Sequence, residues 1–386
     1  MLTWIRKIMR HLKILPVSGE RKRRKVYIIA GEPSGDAIGA KVLMALRAFD
    51  VEISGVGGPK MQKEGLVSLF DIGEISIGGV VELIPHVLKI KKLIRRTTHD
   101  IISNCPDVIL TIDSPGFCFR VVKLIRKLSP GIGMVHLVAP SVWAWRSGRA
   151  KKIAKLYDVL LTLFDFEPQY FLKHGLHTKC VGHPMIEEFH EDVNKSKDDL
   201  LLLMPGSRIQ EIKKMLPVFL EFCDKYQATR YVIPTLPHLV PLIQEYLGAR
   251  TWIEVIFDER EKNSLYRRAK LAIAASGTAT IQLTLAGCPM IVCYKMNNIT
   301  YKMIKRIIKT KYISLVNIIS NRRVVPELIQ RECRADKILQ VASDMDTNEQ
   351  IRELCLVRNG ICNLAHTPSE KIAEIIVNVK MHPTKS

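Results

Sequence analysis

The sequence predicts an α/β protein with two parallel-sheet domains. Its 386 residues exceed what a single hydrophobic core usually supports, and 47% of them are hydrophobic. Short apolar runs typical of buried strands alternate with helical patterns along most of the chain. We expect a first domain over residues 26–185 and a second over 186–365, with an extension at 1–25 and a closing helix within 366–386.

Hydropathy and cysteine usage argue against several classes of protein. No apolar run approaches the ~18 residues that a membrane span needs, and the first residues are too basic for a signal peptide. We therefore expect a cytoplasmic protein. The nine cysteines stand singly, without a CxxC pair or histidines at ligand spacing. This predicts reduced thiols, with neither a disulfide framework nor a zinc site. We also expect no cofactor.

The formal net charge of +20 requires an anionic partner, which could be nucleic acid, a membrane surface or a substrate. The cations are concentrated in three blocks, Arg21–Lys25, Lys89–Arg96 and Lys302–Lys311. Each block adjoins apolar residues rather than interleaved aromatic ones. This favours a phospholipid surface and argues against single-stranded nucleic acid, for which stacking side chains are expected.

The first fifteen residues predict a short basic amphipathic helix. Trp4, Ile8 and Leu12 fall at helical spacing among Arg and Lys residues, and Pro16 ends the pattern. This helix is either a membrane-surface anchor or an extension that packs against nothing.

The segment Leu271–Tyr294 predicts a strand–helix–strand unit with an anion site. An apolar strand leads into Ser276, Gly277 and Thr278, and a helix of small residues follows. Amide groups at the start of that helix would be open to a phosphate, which Gly277 would allow to approach the backbone. The alternative is an ordinary turn between a strand and a helix, so the rest of the chain has to decide.

The first strand, Val26–Ala30, runs into a glycine-containing loop, Gly31–Asp36, and then into a helix. Ser34 or Asp36 can cap that helix. The spacing is not the GxGxxG of dinucleotide sites, so we expect only a binding loop at the edge of a sheet.

From this loop onward the motifs resemble those of the lipid-A-disaccharide synthase family. The matching segments are AGEPSGD at Ala30, GGPKMQKEGL at Gly57, GGVVELIPHVLKIKKLIRR at Gly78, PSVWAWR at Pro140, GHPM at Gly182, LLLMPGSRIQEI at Leu201, ASGTATIQLTLAGCPMIVCY at Ala275 and YISLVNIISNRRVVPELIQ at Tyr312.

The resemblance implies the GT-B fold, in which two Rossmann-like parallel-sheet domains face a central cleft. It also implies a glycosyltransferase that joins UDP-2,3-diacylglucosamine to 2,3-diacylglucosamine 1-phosphate (lipid X) and releases UDP. Glu32 and Ser34 would belong to the acceptor side of this site.

Asp113 follows the strand Val108–Ile112, where open α/β sheets place their ligands. If a sugar 6-hydroxyl must be deprotonated, Asp113 is the best candidate for the general base. The alternative is a helix cap before Pro115. Relatives usually read D-x-P-D-F-N here, so Gly116 and Cys118 replace an acid and an amide that could have assisted Asp113.

Two segments are predicted to face a membrane. Gly78–Arg96 is apolar over a wide arc and basic toward its end, and Tyr294–Lys311 is again apolar and basic. A helix that enters acyl chains while its cations meet lipid phosphates would have this composition. The alternative for the first segment is a core helix with a charged outer face.

Two tryptophans, Trp143 and Trp145, stand beside Arg146 in a predicted turn. Such residues either pack under the loop or line a cleft for a sugar ring and its acyl chains. His183 precedes Pro184 in a segment that resembles the hinge between the two domains. A structural role is expected for it, although a general base is the alternative.

Arg208, in the turn after Leu200–Met204, is suited to hold a diphosphate and to neutralise the leaving group. The alternative is a simple ion pair with Glu211. No DxD pair follows a strand, which argues against a metal-dependent mechanism.

The remaining donor-side predictions rest on the resemblance. Gln282 stands where the family usually has a Glu that binds the ribose, so weaker donor affinity is expected. Ser314 and Asn317 match a polar loop on the substrate side. Relatives also exchange C-terminal segments in a dimer, and in this fold the last helix returns to the first domain.

These observations favour a metal-independent, inverting glycosyltransferase of lipid A assembly, peripheral on the inner membrane. A second hypothesis is another UDP-sugar enzyme of this fold, such as an N-acetylglucosaminyltransferase or an epimerase. A third, prompted by Gly116 and Gln282, is a weakened UDP-sugar or lipid-binding protein. Nucleic-acid binding is the least favoured.

Overall fold

A computed structural model describes residues 23–75, 87–144, 147–189, 197–306, 308, 310–362 and 367–379. The predicted N-terminal helix, the first part of the predicted Gly78–Arg96 helix, and Trp145 with Arg146 lie outside these residues.

The first lobe contains a sheet of six parallel strands with helices on both faces. The strands are β1 (Arg24–Ala30), β2 (Val51–Val56), β3 (Val108–Ile112), β4 (Gly133–Leu137), β5 (Val159–Thr162) and β6 (His177–Cys180). The α-helices are α1 (Pro33–Leu46), α2 (Pro59–Lys63), α3 (Val87–Asn104), α4 (Pro115–Leu128), α5 (Arg149–Ile153) and α6 (Gln169–Leu172).

The second lobe repeats this arrangement. Its strands are β7 (Asp198–Met204), β8 (Arg230–Pro234), β9 (Ile253–Ile256), β10 (Ala269–Ala275), β11 (Met290–Tyr294) and β12 (Glu327–Ile329). Its helices are α7 (Ile209–Cys223), α8 (Val240–Leu247), α9 (Glu259–Arg268), α10 (Thr278–Leu285), α11 (Asn298–Lys305), α12 (Leu315–Ser320), α13 (Ala335–Asp344) and α14 (Thr347–Cys362), and α15 (Pro368–Asn378) follows them.

Both sheets are parallel, which confirms the predicted α/β class. The strand orders are β2-β1-β3-β4-β5-β6 and β12-β11-β10-β7-β8-β9. Each order reverses direction once, between β1 and β3 in the first sheet and between β7 and β10 in the second. Open parallel sheets bind ligands at the carboxyl ends of the strands that flank such a reversal.

The strands are buried on both faces, as their continuous apolar runs predict. In β1, Val26, Ile28 and Ala30 pack toward one layer of helices, whereas Tyr27 and Ile29 pack toward the other, because side chains alternate along a strand. All five side chains are fully buried. The sheet can therefore hold its terminal loops on a rigid support.

Neither Ser34 nor Asp36 caps α1, so both alternatives that the sequence offered are wrong. The residue before α1 is Glu32, and it makes no capping hydrogen bond with its side chain. Asp36 is buried and accepts hydrogen bonds from the backbone N–H groups of Gly58, Lys60 and Met61 at 2.8–3.0 Å. It therefore fixes the start of α2 against α1.

The last helix, α15, lies against α1 of the first lobe. Glu187 accepts hydrogen bonds from the backbone N–H and the hydroxyl of Ser369 at 2.8 and 2.9 Å. Lys371 donates to the carbonyl of Cys180 at 3.0 Å. The chain thus passes through the second lobe and ends on the first.

Candidate functional site

A cleft between the lobes lies beside the reversal points of both sheets. The first lobe contributes the ends of β1, β3 and β4, and the second contributes Thr278, Ile281 and Leu315. The cleft has a volume of about 190 Å³ and is lined mainly by apolar side chains. This is smaller than the range of about 300–1,000 Å³ that is usual for small-molecule sites, so the cleft has room for one part of a large substrate.

Asp113 lies in this cleft at the end of β3, as the sequence predicts. Its φ is 52° and that of Ser114 is 45°, so two successive residues adopt the left-handed conformation. The backbone N–H of Asp113 donates to the carbonyl of Leu137 at 3.0 Å, and Ser34 Oγ donates to Asp113 Oδ2 at 3.2 Å. Such conformations in non-glycine residues concentrate at functional sites, where surrounding contacts impose them.

Gly31 brings the β1 loop into contact with the β3 loop. A Cβ atom at this position would lie 2.5 Å from Ser114 Oγ and 2.8 Å from Ser114 Cβ, much closer than carbon and oxygen atoms approach. Only a glycine therefore allows the two loops to meet beside Asp113. This explains the glycine at the start of the Gly31–Asp36 loop.

Two carboxyl groups of the first lobe face one guanidinium of the second. Burial raises the pKa of Glu32, the nearby Asp113 raises it further, and Arg208 opposes both. Burial also raises the pKa of Asp113, which the Ser114 backbone, Ser34 and Arg208 lower. Arg208 Nη2 lies 4.0 Å from Glu32 Oε2, so the charges of the two lobes interact across the cleft.

Arg208 is 60% exposed and precedes α7. Its Nη1 lies 3.2 Å from Glu211 Oε1, so the ion pair considered from the sequence is present. Glu211 also accepts a hydrogen bond from the backbone N–H of Ser207 at 3.2 Å. A Cβ at Gly206, where φ is 116°, would lie 2.4 Å from the same carboxylate. Glu211 therefore supports the turn while leaving most of Arg208 accessible.

The turn Ser276–Thr278 connects β10 to α10 and borders the cleft. Gly277 and Thr278 are exposed, and a Cβ at Gly277 would meet no atom within 4 Å. Ser276 Oγ donates to the carbonyl of Ile313 at 3.2 Å, and Thr280 Oγ1 donates to that of Gly277 at 2.7 Å. No side chain caps α10, and among its first N–H groups that of Thr280 donates to the carbonyl of Gly277 at 3.1 Å. Gln282, one turn later, is half-buried.

Asn317 is not available to a donor substrate, in contrast to the prediction. It is fully buried, and its Oδ1 accepts hydrogen bonds from the backbone N–H groups of Val324 and Val325 at 2.7 and 2.9 Å. Its Nδ2 donates to the carbonyl of Val325 and to Glu327. The side-chain amide of Asn317 is therefore fully hydrogen-bonded to the loop after α12 and to Glu327. Glu327 also accepts hydrogen bonds from the backbone N–H groups of Ile313 and Ser314.

His183 has the structural role that the sequence favours. Its Nδ1 accepts a hydrogen bond from the backbone N–H of Met185 at 3.1 Å. Burial, followed by the nearby Lys41, lowers the pKa of His183 to about 4. A neutral imidazole that is already used by the backbone is poorly placed to act as a general base.

An aromatic wall with a buried acid closes one side of the cleft. Trp143 packs edge-on against Phe166, which stacks with Phe164. Glu167 is 4% exposed and lines the same cleft. Burial raises the pKa of Glu167 to about 7, against hydrogen bonds from nearby N–H groups. The sequence analysis did not single out Glu167, because an acid in DFEPQY has the pattern of a surface loop.

Helix α3 presents an apolar and basic face to solvent. Leu88 is 80% exposed, and Val87 is also exposed. The exposed cations on this helix are Lys89, Lys91, Lys92, Arg95 and Arg96. Leu93 and Ile94 are buried in the core, so the helix has an anchoring face and a free face. None of the helices that the structure describes has both the length and the apolar character needed to cross a bilayer.

Among the described residues, no group of three or more His, Cys, Asp and Glu side chains is arranged to hold a metal ion. The polar groups of the cleft are instead suited to hydrogen bonding, proton transfer and anion binding.

The chain resembles known proteins over most of its length. Residues 26–372 match the sequence model of the family described as lipid-A-disaccharide synthetase. The chain is 41% identical to the lipid-A-disaccharide synthase of Rickettsia bellii strain OSU 85-389, over 85% of this chain and 90% of that protein. It is 36% identical to that of Rhodospirillum centenum, over 92% and 94%.

Solved structures show similarity of fold. One is the UDP-GlcNAc 2-epimerase of Methanocaldococcus jannaschii in complex with UDP-GlcNAc and UDP, with a TM-score of 0.58, 14% identity, and coverage of 92% of this chain and 99% of that one. Another is Acinetobacter baumannii MurG, with a TM-score of 0.55, 14% identity and the same coverage. Together with the two parallel sheets, they identify the fold as GT-B.

Proposed function

The chain belongs to the lipid-A-disaccharide synthase family and is a glycosyltransferase of lipid A synthesis, and we propose the following reaction and residue roles for its cleft. It condenses UDP-2,3-diacylglucosamine with 2,3-diacylglucosamine 1-phosphate to form the β-1,6 disaccharide 1-phosphate and UDP. The observation that carries this proposal is the placement of Asp113, Arg208 and the Ser276–Thr278 turn at the two facing reversal points.

Asp113 acts as the general base. As the acceptor 6-hydroxyl attacks the anomeric carbon, the carboxylate takes the hydroxyl proton, and the bond from the anomeric carbon to the UDP oxygen breaks with inversion. The Ser34 hydroxyl orients the carboxylate by donating to Oδ2. Glu32 lies beside Asp113 on the acceptor side.

Arg208 and the first N–H groups of α10 hold the diphosphate. The guanidinium and the backbone dipoles stabilise the negative charge that develops on the leaving UDP. Arg208 lies near the carboxylates of Glu32 and Glu211, so an incoming diphosphate competes with them for the guanidinium. The diphosphate can reach the guanidinium because the Arg208 side chain is exposed. Gln282 would contact the ribose through a neutral amide, with less charge assistance than a carboxylate provides.

Substitution of Asp113 tests this assignment. We expect Asp113→Ala and Asp113→Asn to abolish single turnover of both acylated substrates, with and without chelator, while UDP-sugar binding is retained. The matched control is Asp224→Asn, which removes only the surface carboxylate that pairs with Arg250. Turnover retained by both Asp113 variants would remove this residue from the role of base.

A second candidate is another UDP-sugar enzyme of this fold, because the solved structures that resemble the chain include UDP-GlcNAc 2-epimerases. Equal turnover of diacylated and unacylated donors would favour it. A weakened binding protein is the third candidate, since Gly116 stands where relatives carry an acid, and a Cβ there would meet only Arg120 Nη1, at 3.8 Å. Donor binding without any disaccharide product would support it.

The free face of α3 is proposed to dock on the cytoplasmic face of the inner membrane. Its exposed leucine enters the acyl region while its cations meet anionic headgroups. In the segment Tyr294–Lys311, of which residues 307 and 309 lie outside the described part of the chain, the exposed cations Lys302, Lys305, Arg306 and Lys311 add a second basic surface. Leu88→Glu should reduce sedimentation with anionic vesicles, whereas Leu356→Glu, at another exposed leucine, should not. Equal sedimentation of both variants would contradict this docking surface.

A homodimer with exchanged C-terminal segments is also proposed. In such a dimer, the contacts between α15 and Glu187 would form between two chains instead of within one. Size-exclusion chromatography with light scattering would decide between a monomer and a dimer.

A further inference from the structure

The apolar part of the cleft adjoins both halves of the proposed catalytic centre. Its lining includes Asp113 from the first lobe and Thr278, in the proposed diphosphate turn, from the second. Between these residues the walls are apolar, formed mainly by Ile38, Leu163, Met185 and Ile281. A group that fills this space must therefore lie next to the bond that the enzyme forms.

The far wall is aromatic and rigid. The rings of Trp143 and Phe166 are 5.4 Å apart at 76°, and those of Phe164 and Phe166 are 6.0 Å apart at 10°. Val138, beside them, has a φ of 75°, which a β-branched residue rarely adopts. The protein thus holds a valine side chain at the pocket in a costly conformation.

Two polar groups interrupt this wall. Glu167 Oε2 accepts hydrogen bonds from the backbone N–H groups of Leu163 and Phe164, both at 3.1 Å. The indole N–H of Trp143 lies near enough to Glu167 to lower its pKa. However, Trp143 Nε1 is buried without a partner at hydrogen-bond distance among the described residues. A buried donor left unpaired costs about 1–3 kcal/mol, which a ligand with one acceptor could recover.

The geometry points to a specific occupant: the acyl chain on carbon 2 of the donor sugar, with Trp143 and Glu167 recognising one hydroxyl or similar neutral group on that chain. This inference rests on the proposed function. Carbon 2 is bonded to the anomeric carbon, so its chain is the one nearest to the reacting bond. The acceptor reacts through its 6-hydroxyl, which lies across the ring from its own acyl groups.

The experiment compares donors that differ only in the chain on carbon 2: a long plain chain, the same chain with one hydroxyl at successive positions, and an acetyl group. The wild-type enzyme should prefer the long chains and one hydroxyl position. Trp143→Phe keeps an aromatic ring but removes the N–H. We expect it to lower kcat/KM for the preferred hydroxylated donor about 3–10-fold more than for the plain-chain donor, the worth of one hydrogen bond.

Two further variants separate recognition from folding. Trp252→Phe is the matched control, because Trp252 is 45% exposed and packs on Tyr231 outside the cleft. It should change neither value. Ala37→Leu fills the pocket and should lower kcat/KM for the long chains while sparing the acetyl donor.

The inference would be overturned if Trp143→Phe lowered kcat/KM equally for the hydroxylated and plain donors. It would also be overturned if the wild-type enzyme did not distinguish the chains. Either result would leave the proposed function intact. If no acylated donor yields a disaccharide with the wild-type enzyme, the proposed function fails, and the inference fails with it.

Discussion

Gly31→Ala should displace the loop that carries the proposed base, Asp113, through a single methyl group. The new Cβ would lie 2.5 Å from Ser114 Oγ and 3.2 Å from Ile75 Cδ1. Ser114 is held by the start of α4, whose N–H groups donate to its carbonyl, so it has little freedom to move away. Overpacking of this kind costs about 1–3 kcal/mol.

A loss of about 2 kcal/mol corresponds to a fall of roughly 4–8 °C in the midpoint of thermal unfolding for a lobe of this size. The single-turnover rate should fall by more than the loss of folding stability alone would cause. Asp113 directly precedes Ser114, and an error of ~1 Å in the position of a catalytic group can reduce turnover about 100-fold.

Ser114→Gly provides the matched rescue. It removes the obstructing side chain, and it places glycine at a φ of 45°, where glycine is favoured. The double variant should therefore regain most of the lost stability, with a coupling of about 1–2 kcal/mol, and much of the single-turnover rate. Differential scanning fluorimetry and quenched-flow assays measure the two quantities. If Gly31→Ala is neutral, or if Ser114→Gly gives no rescue, the close contact of the loops is not what holds Asp113.

Other changes should have separable effects. Ser34→Ala removes a hydrogen bond that favours the Asp113 carboxylate, so the acidic limb of the pH–kcat/KM profile should move to higher pH, and an unmoved limb would contradict this. Asp36→Ala leaves three backbone N–H groups without an acceptor and should destabilise the first lobe by about 3 kcal/mol, measured by thermal unfolding. Val138→Gly removes a side chain from the cleft and should raise KM for the acylated donor. The free energy of unfolding should change little, because glycine relieves the backbone strain by about 1 kcal/mol but raises the entropy of the unfolded chain by a similar amount. Glu187→Ala should release α15, seen as early proteolysis near the C-terminus.

The sequence predicts the central strands well because these strands are buried on both faces. The expected strand Val108–Ile112 agrees with the structure residue for residue. The sequence analysis did not predict β2 or β12. β2 is an edge strand of mixed polarity, VEISGV, and β12 has only three residues, so neither shows a continuous apolar run.

Site residues at strand ends could be predicted because parallel strands bring their carboxyl ends to one edge of a sheet. This principle places Asp113 and the Ser276–Thr278 turn without any knowledge of distant contacts. Asn317 shows its limit. A polar residue in a loop can serve a ligand or the backbone, and only the positions of Val324 and Val325 show that its amide is already used.

The loop contact at Gly31 and the left-handed backbone beside the cleft could not be predicted from the sequence, because both depend on contacts between distant segments. Gly31 and Ser114 lie 83 positions apart, and their contact depends on the parallel pairing of β1 with β3. Left-handed backbone at Asp113 and Ser114, and again at Val138 after β4, occurs where neighbouring strands end beside the cleft. Because each conformation is unfavourable alone, the packed sheet must impose it. The rigidity of the first lobe therefore helps to hold the proposed base, Asp113, in position. We expect variants that loosen this sheet to lose turnover before they lose donor binding.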